Sequence, residues 1–410
     1  MPHETVLIAT ICVSLAFAFL GGFLAVRLRL PPLVGYLLAG IAIGPFTPGF
    51  VADAQLAAEL AEIGVMLLMF GVGMHFSLKD LLAVRTIALS GAVTQMATAS
   101  ALALALTHLW GWPLGAGLVF GLALSVASTV VLLRALEAQG TLDSVDGRIA
   151  VGWLIVEDVV MVLTLVLLPA LAGPLGGQIT GPAHGAAGNG VLLTLGLTLA
   201  KVAAFVVLML LIGPRILQWL LAAVVRTGSR ELFTLAVVAV ALGVAYGAAE
   251  LFGVSFALGA FFAGVVINGS DHSHRAAADS QPLQDAFAVL FFVSVGMLVD
   301  PHILVRQPFQ VLAVVAIIIF GKSLAAFLIV RAFRYPLRTG LTVAASLAQI
   351  GEFSFILAGL GLTLGLLAPE GQHLILVGSL LSITLNPLAF RATDAILVWR
   401  RTAASAAAPD

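Results

Sequence analysis

The 410-residue chain has a single cysteine, Cys12. One thiol excludes an internal disulfide framework and any cysteine-based metal site. Charge is also scarce. Lys, Arg, Asp and Glu make up 10% of the residues, against about 25% in an average soluble domain. No stretch is polar enough to be a soluble domain, and the net charge of −1 gives no sign of a nucleic-acid partner. His3, His75, His108, His184, His272, His274, His302 and His373 all fall in loops or at the ends of apolar segments. No two are placed to ligate haem, which removes most quinone and cytochrome readings. HExxH, GxSxG and P-loop patterns are missing, so the chain is not read as an enzyme and no cofactor is expected in it.

What remains is apolar. Hydrophobic residues make up 61% of the chain, and the mean hydropathy is +1.14. Apolar stretches of about 20 residues, the length that spans a bilayer, recur throughout. The expected fold is all-α and polytopic, with about thirteen transmembrane helices near 5–27, 31–45, 57–76, 84–108, 113–136, 148–172, 190–212, 230–250, 254–268, 283–299, 306–333, 338–366 and 370–396. The first lacks a basic leader and runs into Arg27 and Arg29, so it is read as retained. The seventh is expected to continue as an interfacial stretch through Arg226. A Gly/Pro-rich loop, 173–189, precedes it, and the tail 401–410 is expected to be disordered. Loops after odd-numbered segments carry the basic residues, among them Arg29, Lys79, Arg134, Arg215, Arg275 and Arg334; those after even-numbered segments carry essentially one, Arg306. By the positive-inside rule the N-terminus is periplasmic and the C-terminus cytoplasmic, in the bacterial inner membrane.

Two short segments, PPLVGYLLAGIAIGP and VSFALGAFFAGVVIN, overlay at an offset of about 224. The next segments, GVMLLMFGVGM and AVLFFVSVGM, overlay at nearly the same offset. The paired segments are an odd number apart, so they cross in opposite directions. That is an inverted-topology repeat, a build common in secondary transporters. The halves are 5–172 and 230–398, joined by a linker helix at 190–226. In such folds one helix per half is broken near mid-membrane. The fifth and twelfth segments are the candidates, because both carry polar groups at matching depth: Ser125, Ser128 and Thr129 in one, Gln349, Gly351 and Glu352 in the other. Those groups can satisfy backbone freed at a break, although Ser128 and Thr129 can equally bond a helix carbonyl.

The strongest chemical signal is Glu157–Asp158 inside RIAVGWLIVEDVVMVLTLVLLPALA. One acid at mid-membrane costs about 2.5–3.5 kcal/mol on insertion scales, and two in sequence exceed what packing explains. Asp158 lies ten residues past Arg148, roughly 15 Å into the segment. The two side chains project about 100° apart, one towards an ion cavity and one towards a basic partner. Lys322, deep in VLAVVAIIIFGKSLAAFLIV, is the expected ion-pair partner, with snorkelling to an interface as the alternative. Lys201 also reads as mid-segment. Glu352 is a second titrating acid or a brace, with the brace preferred.

At these residues the chain resembles the Kef-type branch of bacterial monovalent cation:proton antiporters, in its YbaL-like subgroup. LLMFGVGMHFSLKDL, ASTVVLLRALE, GWLIVEDVVMVLTLVLLP, FGKSLAAFLIVR and SLAQIGEFSFILAG carry the likeness. It implies a sodium/proton-antiporter-like fold and a homodimer with a scaffold and a mobile transport domain. Asp158 then takes the ion-binding role, beside Ser128, Thr129 and Ser125. Lys322 takes the family lysine role, and His274, Arg275 and Asp279 form a regulatory loop within 273–287. Kef proteins carry Gln-Asp where this chain has Glu157–Asp158, which leaves ion selectivity open. No βαβ pattern follows the last segment, so nucleotide or glutathione gating is not expected in this chain. The reading is exchange of K⁺, or Na⁺, for protons by an elevator-type motion. A channel-like K⁺ efflux system, a Na⁺-coupled organic-anion symporter of the same fold, and a membrane sensor without transport are the alternatives.

Overall fold

A computed structural model describes residues 6–48, 53–75, 78–142, 144–177 and 189–406. Every regular element among the described residues is a helix. The first half comprises α1 (Val6–Arg27), α2 (Pro32–Ile43), α3 (Ala54–His75), α4 (Leu78–Leu109), α5 (Leu114–Ser125), α6 (Thr129–Ala138) and α7 (Val145–Leu171). The connection is α8 (Asn189–Leu211) and α9 (Gly213–Val225). The second half comprises α10 (Arg230–Phe252), α11 (Phe256–Asn268), α12 (Ser273–Met297), α13 (Ile303–Arg306), α14 (Pro308–Ala316), α15 (Lys322–Ala332), α16 (Leu337–Ser346), α17 (Glu352–Thr363) and α18 (Pro369–Ala406). A π-helical turn, Ile317–Gly321, joins α14 to α15.

Short polar punctuation sets the helix starts. Proline occupies the first turn of α2, α9 and α14, where its missing N–H is no loss. Ser128, Ser144, Ser229 and Ser255 cap α6, α7, α10 and α11, each accepting from a backbone N–H three residues on. Among the described residues, eight helical stretches are long and apolar enough to cross a membrane, and the α8–α9 pair, bent by 45°, makes nine. Each of the thirteen expected segments falls on one helix or helix pair, while length and composition alone support those nine crossings.

The repeat is visible in the packing. In lipid, helices associate through close contact at small residues, and here the close contacts come in exchanged pairs. α2 packs on α12, and α11 packs on α3. A methyl placed on Gly296 would lie 2.9 Å from Gly40 Cα, and one placed on Gly264 would lie 3.0 Å from the Gly73 carbonyl carbon. Gly264 follows Gly40 by 224 positions and Gly296 follows Gly73 by 223, so the two contacts are one contact traded between the halves. The turns match as well. Arg29 after α1 and Gly253 after α10, also 224 apart, have φ of 60° and 67°. Gly111 after α4 and Arg334 after α15, 223 apart, have φ of 77° and 64°. Each matched pair puts glycine, which enters the left-handed region freely, in one half and arginine in the other.

The structure departs from expectation at two places. The stretch 273–287 is not a loop: α12 begins at Ser273 and continues through Pro282. Its polar residues bond within the helix, Ser280 Oγ to the Ala276 carbonyl and Gln284 Nε2 to Ser280 Oγ, and Ala276 and Ser280 face inward. The tail is not irregular over its first residues, because α18 runs to Ala406; residues 407–410 lie outside the described residues, as do 178–188 of the Gly/Pro-rich loop. Lys201 is at mid-segment as expected, halfway along α8, and its side chain is exposed.

Gly40→Ala and Gly264→Ala are each expected to lower stability by about 1–3 kcal/mol through overpacking, read as a fall in the melting midpoint in detergent. Gly359→Ala, in α17 with no atom within 4 Å of the added methyl, should be neutral or slightly stabilising. Equal behaviour of the three would contradict the exchanged close contacts.

Candidate functional site

Two helices break at matching places and cross there. Between α5 and α6 the chain is extended at Val126 and Ser128; between α16 and α17 it is irregular from Leu347 to Gly351. Gly351 lies against Ser128: a methyl on it would sit 2.6 Å from Ser128 Cα. Gln349 pairs with Ser128 as a second backbone would. The Ser128 N–H donates to Gln349 Oε1 at 2.9 Å, and Gln349 Nε2 donates to the Ser128 carbonyl at 3.2 Å.

A break frees carbonyls, and in an apolar medium each needs a donor. On α5, the Ala123 carbonyl accepts from Ser354 Oγ at 2.6 Å and the Ser125 carbonyl from Gln95 Nε2 at 3.1 Å. On α16 and the following break, Ala344 accepts from Ser323 Oγ, Ala345 from Asn386 Nδ2, Gln349 from Lys322 Nζ and Ile350 from Ser379 Oγ, at 2.9–3.0 Å. The two sets are related by the repeat. Gln95 on α4 holds the Ser125 carbonyl, and Lys322 on α15 holds the carbonyl of Gln349, 224 positions later.

Three carboxylates stand at the crossing, all buried. Glu157 Oε2 accepts from the Ala127 N–H at 2.8 Å, Asp158 Oδ2 from Thr129 Oγ1 at 3.2 Å, and Glu352 Oε2 from Ser128 Oγ at 2.9 Å. In each, the other oxygen is buried with no hydrogen-bond partner among the described residues: Glu157 Oε1, Asp158 Oδ1 and Glu352 Oε1. Asp158 is within electrostatic reach of both other acids. The separation around α7 does not send Glu157 and Asp158 to different neighbours. Both bond the same interrupted segment, two residues apart, because that segment runs across the face of α7.

Lys322 is fully buried directly after the π turn, a distortion common at functional positions. The expected direct ion pair is not formed. The ammonium donates to the Gln349 carbonyl at 3.0 Å, and none of the ion pairs within 4.0 Å among the described residues includes Lys322. Glu157 and Lys322 do feel each other's charge. The lysine thus serves a carbonyl freed at the break.

The other expected residues divide. Ser125 Oγ donates to the Leu122 carbonyl of its own helix, so its hydroxyl is not turned to the acids. Ser128 serves as cap and brace, and Thr129 alone reaches Asp158. Arg275 and Asp279 lie outside the crossing, at the start of α12. Asp279 accepts from Arg230 at 3.0 Å and pairs with Arg275 at 3.5 Å, and the Arg275 guanidinium sits 4.4 Å from the Phe233 ring centroid. His274 is exposed beside them. Residues not anticipated are Gln95, Trp153, Ser354, Ser379 and Asn386. Gln95 is fully buried and also accepts from Trp153 Nε1 at 3.3 Å. Its signal was a lone amide in the apolar run ALSGAVTQMATASALALAL.

Two interrupted helices crossing in an inverted repeat, with buried acids beside them, define the architecture of a secondary transporter. Residues 15–393 match the family model described as sodium/hydrogen exchanger, transmembrane, and the chain belongs to that family. It is 61% identical over 403 residues to the Escherichia coli (strain K12) protein named "Putative cation/proton antiporter YbaL", covering 98% of this chain and 71% of that one. It is 33% identical over 394 residues to K(+) efflux antiporter 6 of Arabidopsis thaliana, covering 96% of this chain and 63% of that protein. The fold is shared with the solved structure of the sodium proton antiporter MjNhaP1 from Methanocaldococcus jannaschii, at a TM-score of 0.71 and 16% identity, over 95% of this chain and 98% of that one.

Gln95→Ala strips donors and acceptors from the Ser125 carbonyl and the Trp153 indole at once. The expected loss is about 1–3 kcal/mol per buried group left unsatisfied, measured by thermal or denaturant unfolding in detergent. Thr98→Ala, one turn further on α4, half-buried and bonded to the Thr94 carbonyl of its own helix, should change stability by less than about 0.5 kcal/mol. Matching losses would remove Gln95 from the break's support.

Proposed function

We propose that the chain exchanges a monovalent cation for protons across the inner membrane, with Asp158 as the residue at which the two compete. The observation that carries this reading is the unpartnered oxygen on each of Glu157, Asp158 and Glu352, held beside a fixed set of backbone and hydroxyl groups. A buried carboxylate oxygen without a donor calls for a proton or a cation. Binding of either neutralises Asp158, and only a neutralised site crosses the barrier cheaply. That competition couples the two flows without covalent chemistry. Glu157 adds a second acid near Lys322, and Glu352 braces Ser128.

K⁺ is the favoured cation and Na⁺ the alternative. The names of the plant relatives support the first, and the family description and the fold relative support the second. An elevator-type motion is supported by how the helices group. α1–α3 pack on α10–α12, and α4–α7 pack on α14–α18, with α2 against α18 among the packings between the groups. The first group is the scaffold of a homodimer and the second carries the crossing. The segregation of basic residues supports a cytoplasmic C-terminus.

Asp158→Asn is expected to abolish cation-dependent proton movement in proteoliposomes while leaving the melting midpoint close to wild type. Exchange at the wild-type rate would remove Asp158 from the mechanism. Lys322→Ala is expected to alter the pH profile of exchange or the melting midpoint before it alters the choice of cation. An unchanged pH profile together with unchanged melting would show that Lys322 supports neither the break nor Glu157. A proton gradient that fails to drive K⁺ or Na⁺ uphill would favour a channel instead.

A further inference from the structure

A second site lies away from the crossing, on the basic side of the molecule. A cavity of about 350 Å³ opens between the α1–α2 turn, α6 and the middle of α18. Its floor is apolar, formed by residues such as Leu30, Pro32, Val131, Pro387 and Phe390. Its rim carries Arg29, Arg134 and Arg391, one from each of the three elements, against one acid, Asp394. None of the three arginines has a carboxylate within 4.0 Å among the described residues.

We propose that this cavity binds an anionic phospholipid, with the phosphate held by Arg29, Arg134 and Arg391 and an acyl chain lying on the apolar floor. The chemistry of the lining selects that ligand. Guanidinium forks match phosphate oxygens, and a basic pocket between membrane helices on the cytoplasmic side is a headgroup site. A small inorganic anion would use the rim and leave the floor unused. A polar organic anion would leave the floor unsatisfied.

Arg29 supplies an independent observation. It holds a left-handed backbone, φ 60°, at a turn whose counterpart in the other half is Gly253 at φ 67°. Glycine takes that conformation without strain, whereas arginine is strained there. Keeping an arginine there implies a use for its side chain. The second left-handed arginine, Arg334, also lies on the basic side and is matched by a glycine, Gly111, but only Arg29 borders the cavity.

The occupant would touch the α1–α2 hairpin on one side and α6 and α18 on the other, that is, both groups of helices. A bound lipid therefore braces the position of one group against the other. Occupancy should stabilise the protein and slow exchange, an effect that depends on the membrane placement of the chain but not on which cation is carried.

The test uses the full chain in detergent. Its melting midpoint is measured with added phosphatidylglycerol, with phosphatidylcholine and with inorganic phosphate alone. The expected result is a rise with phosphatidylglycerol only, lost in the triple variant Arg29→Gln, Arg134→Gln, Arg391→Gln and kept in Arg226→Gln, an exposed arginine on the same side. Arg29→Gly guards against misfolding as an explanation. It should melt at or above wild type without lipid, because the strain is relieved, yet show a reduced phosphatidylglycerol shift. An equal rise with inorganic phosphate would assign the rim to a free anion and overturn the lipid. No phosphatidylglycerol-specific rise, or one that survives in the triple variant, would overturn the site.

Discussion

The pairing of the Gln349 carboxamide with both backbone groups of Ser128 is the interaction on which the rest of the site depends. A helix broken inside an apolar medium exposes N–H and C=O groups that have no water to turn to. Gln349 answers one break with the side chain of the other, so neither half can form the crossing alone. Once Ser128 is fixed, the Ala127 N–H and the Thr129 hydroxyl are fixed too, and these orient Glu157 and Asp158. The acids are therefore positioned by a backbone interruption, and the interruption is held by the repeat.

The support around the crossing is symmetric in position and unlike in charge. The same structural task, donating to a carbonyl freed at the break, falls to a neutral amide in one half and to an ammonium in the other. The ammonium's charge reaches Glu157 without a direct ion pair. A lysine anchored to a carbonyl keeps its place whether or not the neighbouring acid is protonated, which suits a site whose charge alternates. The halves differ likewise at the turns, where arginine replaces glycine on the basic side. Divergence between the halves is thus concentrated where charge is needed, and the packing glycines are left matched.

Much of this was legible in the sequence. The offset between short apolar segments pointed to the repeat, and polar residues at matching depth located both breaks, Ser125–Thr129 and Gln349–Glu352. Glu157, Asp158, Lys322 and Glu352 announced themselves because a charge in an apolar run has few uses. Neutral donors did not. Gln95, Ser354, Ser379 and Asn386 look like ordinary interruptions of apolar helices, and only the account of freed carbonyls shows what each does. Lys322 was expected on an acid and stands on a carbonyl, since sequence cannot show which acceptor a break leaves open. The polar start of α12 reads as a loop because a helix with one solvated face loses the apolar signature of a span.

The central claim is that cation and proton exclude each other at Asp158. Its most direct test is the apparent affinity of the purified protein for K⁺ and Na⁺ as a function of pH. If one proton must leave for one cation to bind, affinity for the transported ion weakens as pH falls, by about tenfold per unit once the site is protonated. Cation addition should then release protons from the wild type and none from Asp158→Asn. An affinity independent of pH, or proton release undiminished in that variant, would contradict the account.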